Sequence, residues 1–553
     1  MHRQAAIVVT ILALVLAGTA YADLQSVRVG GSIKIRGNYY SGAYGLNQSG
    51  GLYPSVAWRW RDLFLSGRPT GAGFKYGNFV GDTILSSFGW NDDLKSDAFV
   101  SQRSRVFVDA DFTDSVSAFI EFDSNDRWGE DFRSDYITGI DGRASTADDL
   151  EIYQAYIETE ETFGVPLRLR IGRQEISLGN AWLVGPNAGG QKFLGVSFDA
   201  VRATYETEQF SLDAFASKLE ERGVAEEDGD IDLYGLYGRY QGLERFTFDA
   251  YWLYLRDAIS HQDTTGIISD WLEDLLDVDD YDPVGLHTVG LRAEGYIGNF
   301  DWMAEVAYQF GDAGRVGAPF KPYNLLNTFF GPSSLLGRNR YGDDEADFDA
   351  WGADLVLTYT FAETKWTPSL FLNLAYLGGE DQREVSFLEW LECNINPFYV
   401  PEASLSFNRL FSDVEYSMFL ELDASLSNAW IAGAGASIWP TEKTEFSVRL
   451  YHFETLEEFK APYHFEIGDL RIVPFFPFSF IDEENDTDLG WELDLRLRYE
   501  YSEDLSFLFG WSHLFVGDGL AEGNFSDGHG LFFNGGTDDD DADYVYAQAL
   551  VMF

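Results

Sequence analysis

The sequence predicts an all-β protein, a transmembrane antiparallel β-barrel of about 18 strands with short periplasmic turns and long extracellular loops. Three observations carry that prediction. Residues alternate between apolar and polar with a period of two along most of the chain. Short and long connections between the alternating segments take turns. Beyond the first twenty or so residues, no apolar run approaches the length of a membrane-crossing helix.

The chain begins with a secretory signal pattern. His2 and Arg3 form a basic start, Ala5 to Gly18 an apolar run too short to span a bilayer comfortably, and Ala20-Tyr21-Ala22 an A-x-A cleavage site. Residues 1–22 are therefore expected to be removed, leaving 23–553 as the barrel. The single cysteine, Cys393, permits no internal disulfide and falls in an expected loop.

The first alternating segment is SVRVGGSIKIRGNY, which puts Val27, Val29, Ile33 and Ile35 on one face and Arg28, Ser32, Lys34 and Arg36 on the other. RVFVDADF (105–112), VRATYE (201–206), FTFDAYWLYLR (246–256), TEFSVRLYHF (444–453) and WELDLRLRYEY (491–501) repeat the pattern. Tight connections include TDS (113–115), TEQ (207–209), GLE (242–244), AET (362–364), PTEK (440–443) and SED (502–504). Long ones include 41–98, 125–149, 177–197, 258–285, 311–349, 380–427, 455–488 and 516–542. A soluble sandwich has no reason to gather its tight turns at one end, whereas an outer-membrane barrel does.

One leading strand, a series of hairpins and one closing strand give an even count. EYSMFLELDASLS (415–427) breaks that parity if it is a strand, so it reads as part of an outer loop. The chain ends in DYVYAQALVMF, whose Val545, Ala547, Ala549, Val551 and Phe553 share one face. Such a strand is expected to close on the first and to be read by the barrel-assembly machinery. Tyr39, Tyr205, Tyr254, Trp302, Tyr359, Trp430, Trp439, Tyr499 and Trp511 fall near strand ends, as interfacial aromatics do.

Lipid requires an apolar outer face, so the charged face of each strand is expected to line the interior. That assigns Arg28, Arg36, Arg103, Arg105, Arg168, Arg170, Arg202, Arg292, Arg449, Arg496 and Arg498 to the wall of a solute path. Carboxylates share the face, among them Asp109, Glu121, Asp123, Asp213, Asp249, Glu305, Asp354, Glu492 and Asp494. The wall is thus mixed, serving either as cross-strand pairs that hold the barrel or as a path for anions.

The formal net charge of −53 comes largely from acidic runs, which rules against nucleic acid as a partner. The densest are 220–232, 270–282, 343–349, 482–488 and 538–543, all assigned to loops. No cofactor is expected; these runs are the only candidates for Ca²⁺ or Mg²⁺, and none has EF-hand spacing.

RIGRQEISLGNAWLVGP followed by SFDAVRATYETEQFSLDAFASK resembles the alginate-export family of outer-membrane proteins. RSRVFVDADFTDSVSAFIEFDSNDRWG (103–129) looks like that family's early hairpin, and LGWELDLRLRYEYSEDLSFLFGWSHLFVGDG (489–519) like a late one. The resemblance implies a monomeric 18-stranded barrel that passes an acidic polysaccharide through an arginine-lined lumen. Its matched arginines are Arg103, Arg105, Arg170, Arg173, Arg202 and Arg496. Arg173 follows Gly172, where a bulge would change its facing. One departure is plain: the family's exporter has a long periplasmic loop where this chain has only SED (502–504).

The leading expectation is a passive outer-membrane channel for anionic polysaccharide or other anionic solutes. A general porin without polysaccharide specificity and an adhesive barrel are the alternatives. The aromatic RIVPFFPFSFID (471–482) is a candidate contact loop or constriction. An enzyme is disfavoured: there is no G-x-S-x-G, and of seven histidines His287 alternates with the lipid face while His261, His464 and His529 fall in loops. Outer-membrane lipids and lipopolysaccharide are the remaining expected partners.

Overall fold

The computed structural model describes residues 24–41, 96–113, 115–129, 150–186, 193, 195–221, 230–258, 284–316, 343–379, 402–420, 426–456, 465–467, 470–473, 479–481, 486–518, 532–533 and 541–553. The expected signal segment, Cys393 and the acidic run 270–282 lie outside them.

Eighteen antiparallel strands form a closed barrel. The first nine are β1 Ser26–Ser41, β2 Asp97–Thr113, β3 Val116–Arg127, β4 Glu151–Thr159, β5 Leu167–Gln174, β6 Phe198–Glu206, β7 Phe210–Glu220, β8 Ile231–Leu243 and β9 Phe246–Asp257. The second nine are β10 Val284–Ile297, β11 Phe300–Val316, β12 Asp343–Thr360, β13 Ser369–Leu377, β14 Ala429–Thr441, β15 Thr444–Thr455, β16 Asp488–Glu500, β17 Leu505–Val516 and β18 Ala542–Met552. Each strand pairs with its sequence neighbour. The ring closes because β18 pairs with β1, from Ser32↔Met552 to Ser41↔Asp543. Gly31 and Phe553 then exchange backbone hydrogen bonds of 2.9 and 3.0 Å, so the last residue is tied into the seam. Closure leaves neither terminal strand with a free edge.

The alternation read from the sequence is the inside–outside alternation of the barrel. On β1, Lys34, Arg36, Asn38 and Tyr40 are buried while Val29 and Tyr39 are exposed. On β10, Thr288 and Arg292 are buried while Val289 and Leu291 are exposed. Tyr39, Tyr205, Tyr359 and Tyr499 all turn outward. The connection 501–504 is a tight turn closed by Tyr501 N–H to Leu505 O at 3.0 Å, as short as the sequence reads.

Two boundaries differ from the sequence reading. The stretch 311–349, expected as loop, is strand at both of its described ends: β11 runs to Val316 and β12 begins at Asp343. The acidic run 343–349 is therefore the upper end of β12, and its backbone pairs with β11 although its composition is polar. Polar residues suit a hairpin that continues past the lipid, where composition no longer marks the end of a strand. The aromatic 471–482 contributes Leu470–Val473 and Ser479–Ile481 to a separate four-stranded sheet with Phe465–Ile467 and Phe532–Phe533.

Gly172 does not bulge. Its neighbours keep register, Tyr156↔Gly172 on β4 and Gly172↔Ala200 on β6. Its φ is +127°, and a Cβ there would sit 2.3 Å from the Ala155 carbonyl oxygen. Gly172→Ala is expected to cost about 1–3 kcal/mol of stability, since strain and overlap act together. A lowered midpoint in thermal loss of the folded gel-mobility form checks this.

Candidate functional site

The inward face of β1 and β2 gathers cations. Lys34 stands opposite Arg103 and Ser32 opposite Arg105, so three cationic side chains and Arg36 occupy neighbouring inward positions. Arg36 is 2% exposed. Its Nε and Nη2 donate to the Gln548 amide oxygen at 3.1 and 2.7 Å. Its guanidinium lies 4.9 Å from the ring centres of both Phe193 and Tyr546. An amide and two aromatic faces thus surround this cation. Arg105 sits over the Tyr153 ring at 4.1 Å, and Arg103 over the same ring at 5.4 Å.

Elsewhere on the wall, most of the expected arginines are matched with acids. Arg28 reaches Asp109 at 2.6 Å and Arg103 reaches Asp123 at 2.5 Å. Arg105 lies within 3.4–3.8 Å of Glu121, Asp123 and Glu175. Arg168 and Arg170 share Glu158, at 4.0 and 2.6 Å. Arg202 bonds to Asp213 at 3.0 Å and Arg498 to Glu500 at 2.5 Å. Arg292 bridges Asp249 at 2.8 Å, Glu294, and Glu305 at 3.8 Å. Arg36, Arg449 and Arg496 have no carboxylate within 4.0 Å among the described residues. Arg449 instead stacks over Phe371 at 4.7 Å.

Arg173, one of the family-matched arginines, is not in this set. It points outward, 45% exposed as a side chain, and pairs with the outward Asp199 at 2.8 Å. Strict alternation past Gly172 puts it with Leu169 and Ile171 rather than with Arg168 and Arg170.

Two segments fold into the barrel. The first follows β5 and buries Ile176, Trp182, Leu183 and Val184. It reaches across the interior, where Asn180 Nδ2 lies 3.9 Å from Met303 Sδ on β11. The second, Glu402–Leu420, is called the strap below. It begins as a short strand, Glu402–Leu405, parallel to β12, and carries part of the stretch 415–427 that the sequence suggested as outer loop. That stretch does lie in a connection between strands, but its described part turns inward, burying Tyr416, Met418, Phe419 and Leu420. The two segments bond to each other: Phe411 N–H donates to Leu183 O at 2.8 Å and Gly185 N–H to Phe411 O at 2.9 Å.

Four strands hold the strap. From β11, Gln309 donates to Asn408 O at 2.7 Å and accepts from Asn408 N–H at 2.6 Å. From β12, Asp354 accepts from Tyr416 OH at 3.2 Å, and Tyr416 OH accepts from Trp182 Nε1–H at 3.0 Å. From β16, Glu492 accepts from Ser417 Oγ, Phe419 N–H and Leu420 N–H at 2.8, 2.8 and 2.9 Å, while Asp494 accepts from Met418 N–H at 3.1 Å. From β18, Tyr546 OH lies 3.5 Å from Met418 Sδ. The interior at this level is packed with aromatic rings, including Trp182 against Phe407 at 5.5 Å and Tyr40 against Tyr544 at 4.4 Å. Gly352 on β12 makes room for this packing, since a Cβ there would meet the Phe407 ring at 2.5 Å.

The strap and its partners Gln309, Trp182 and Tyr546 were not legible as a site. The only signal was an apolar run, Tyr416 to Leu420, inside a connection that had no membrane face to present it to. The described histidines face outward: Trp252 Nε1–H donates to His287 Nδ1 at 3.2 Å, and His452 and His513 contact Asp488 and Asp543 at 3.1 and 3.0 Å. Among the described residues, no group of three or more His, Cys, Asp or Glu side chains is arranged to hold a metal ion.

A closed barrel of 18 strands, apolar outside and charged within, is an outer-membrane-type channel protein. The chain belongs to the alginate export family, whose model matches residues 87–534. No curated protein matches the sequence. Among solved structures it is similar to Pseudomonas aeruginosa OccK8 (OprE), with 11% identity over 95% of this chain and 98% of that one and a TM-score of 0.43. It is also similar to Acinetobacter baumannii OccAB1 (9% identity; 95% and 97% covered; TM-score 0.44). An anion-selective porin from Comamonas acidovorans shows 8% identity, 96% and 99% coverage and a TM-score of 0.37.

Proposed function

We propose that this protein is a passive channel of the bacterial outer membrane for anionic polysaccharide or smaller anionic solutes, with the inward arginines as its path. The observation that carries this reading is Arg36, a buried guanidinium on the inner face whose hydrogen bonds go to an amide rather than an acid. Arg449 and Arg496 add to it. Positive charge left over after wall pairing creates the field that draws an anion inward. Membership of the alginate export family supports export of an acidic polymer as the task.

The experiment is the reversal potential in a planar bilayer under a salt gradient. Anion selectivity is expected, shifting toward cations in Arg36→Gln and further when Arg449→Gln and Arg496→Gln are added. Oligouronates are expected to block the current reversibly. Cation selectivity in the wild type sinks the reading. A second reading, a general porin, is favoured by the pairing of the other arginines with acids; anion selectivity without oligouronate block selects it.

A further inference from the structure

The outward face of β5 to β9 carries a row of charges that solute passage does not use. Arg173 stands opposite Asp199, Asp199 opposite Lys218, Lys218 opposite Asp232, and Asp232 opposite Arg256. The sign alternates along one row through five neighbouring strands. Arg173 holds Asp199 with two hydrogen bonds, 2.8 and 2.9 Å. Lys218 lies 2.8 Å from Asp232 and 2.5 Å from Asp230, and Arg256 lies 3.8 Å from Asp232. Pairing leaves most of the row accessible: the Arg173, Asp199, Lys218 and Arg256 side chains remain 45%, 54%, 38% and 31% exposed, while Asp232 is buried between its two cationic neighbours.

What this row faces follows from the alternation. Its residues share their face with Ile171, Val201, Ala216, Leu236 and Trp252, which form the lipid side of the wall. Charges on that side are costly at the bilayer midplane and tolerated near the interface. A row of paired residues runs perpendicular to the strands. With strands tilted by about 40° and about 4.8 Å apart, it changes height by about 3 Å per strand, or about 12 Å from β9 to β5. Arg256 lies ten positions from Phe246 at the short-turn end of β9, and Arg173 only six from Leu167 on β5. The polar boundary therefore slopes down toward the membrane at β5 and β6.

We propose that this row is a docking surface for the phosphorylated headgroups of outer-leaflet glycolipid. Arg173, Lys218 and Arg256 take phosphate oxygens by charge-assisted hydrogen bonds. A divalent cation links phosphate to the exposed Asp199 carboxylate, while the buried Asp232 holds Lys218 and Arg256 in place. Charge complementarity selects this occupant. A bare anion is repelled by the carboxylates, and a bare cation by the guanidiniums and the ammonium, whereas phosphates cross-linked by divalent cations present both signs. The slope lets a headgroup sit low on the wall while its acyl chains lie on the apolar residues beneath.

Native mass spectrometry of protein extracted from outer membranes in mild detergent tests the proposal. The wild type is expected to carry phosphorylated glycolipid, and a chelator is expected to reduce its occupancy. The combined variant Arg173→Gln, Lys218→Gln, Arg256→Gln is expected to lose about tenfold in occupancy while keeping its folded gel mobility. Lys218→Gln alone is expected to fall in the same direction, which keeps the test usable if the combined variant does not fold. Occupancy unchanged in both variants overturns the proposal. So does equal binding of a phosphate-free glycolipid, or a bound protein in place of lipid.

Discussion

Glu492→Ala is expected to free the strap and raise single-channel conductance in a step. Glu492 is fully buried and its two oxygens accept from Ser417 Oγ, Phe419 N–H, Leu420 N–H and Ser512 Oγ. Alanine removes every one of those acceptors at once. A buried donor without a partner costs on the order of 1–3 kcal/mol. Three of these donors belong to Ser417–Leu420 and make its present position untenable, so moving this stretch toward water is the cheaper arrangement; the fourth, Ser512, stays on β17. The anchors at Gln309 and Asp354 persist, so the strap is expected to loosen at one end rather than leave the barrel. Glu492→Gln retains one carbonyl oxygen but turns an amide N–H₂ toward two donors, so its effect should be intermediate. Planar-bilayer recordings of the three proteins check the order. Conductance and open-channel noise equal to wild type in Glu492→Ala would show that the strap does not limit the pore.

The barrel was legible in the sequence and the strap was not, for one physical reason. Lipid imposes a rule on every strand: outward residues must be apolar and inward ones are free to be polar, which leaves a period of two that any reader can count. Val29 against Arg36 and Leu291 against Arg292 are that rule at work. Inside the barrel no such rule operates. Whether a connection lies over the mouth or enters the lumen depends on contacts with distant strands, such as Gln309 with Asn408 or Glu492 with Phe419, that leave no period in the chain. The stretch 415–427 was recognised as belonging to a connection because parity demanded it, but its inward course was not. Arg173 illustrates the opposite limit. The family match set it beside the lumen arginines while Gly172 left its facing open, and unbroken alternation sent it outward to Asp199. The period of two groups the arginines on one face, whereas their pairing comes only from register, because which acid meets which arginine depends on how neighbouring strands are aligned.

Leu291→Arg is expected to destabilise the barrel by about 2–4 kcal/mol, the cost of an arginine on the lipid face near the midplane. Leu291 lies in the middle of β10, is 62% exposed, and has Ala250 and Val306 as its cross-strand neighbours. Neither offers a carboxylate to a new guanidinium, and the long side chain must snorkel along the wall to reach water. The contrasting substitution is Thr358→Arg. Thr358 is on the opposite face, two residues from Thr360 at the short-turn end of β12, and stands across from Asp301. A guanidinium there meets an acid and water, so its cost should be within a few tenths of a kcal/mol of zero. The same residue type is thus placed twice on neighbouring parts of one wall, with only its facing changed. Urea titration of protein folded into vesicles reads both. A large loss for Leu291→Arg with little for Thr358→Arg follows from a barrel whose outer face meets lipid. Equal effects would mean that this face is solvated or covered by protein, and the assignment of the charged face to the interior would fall with it.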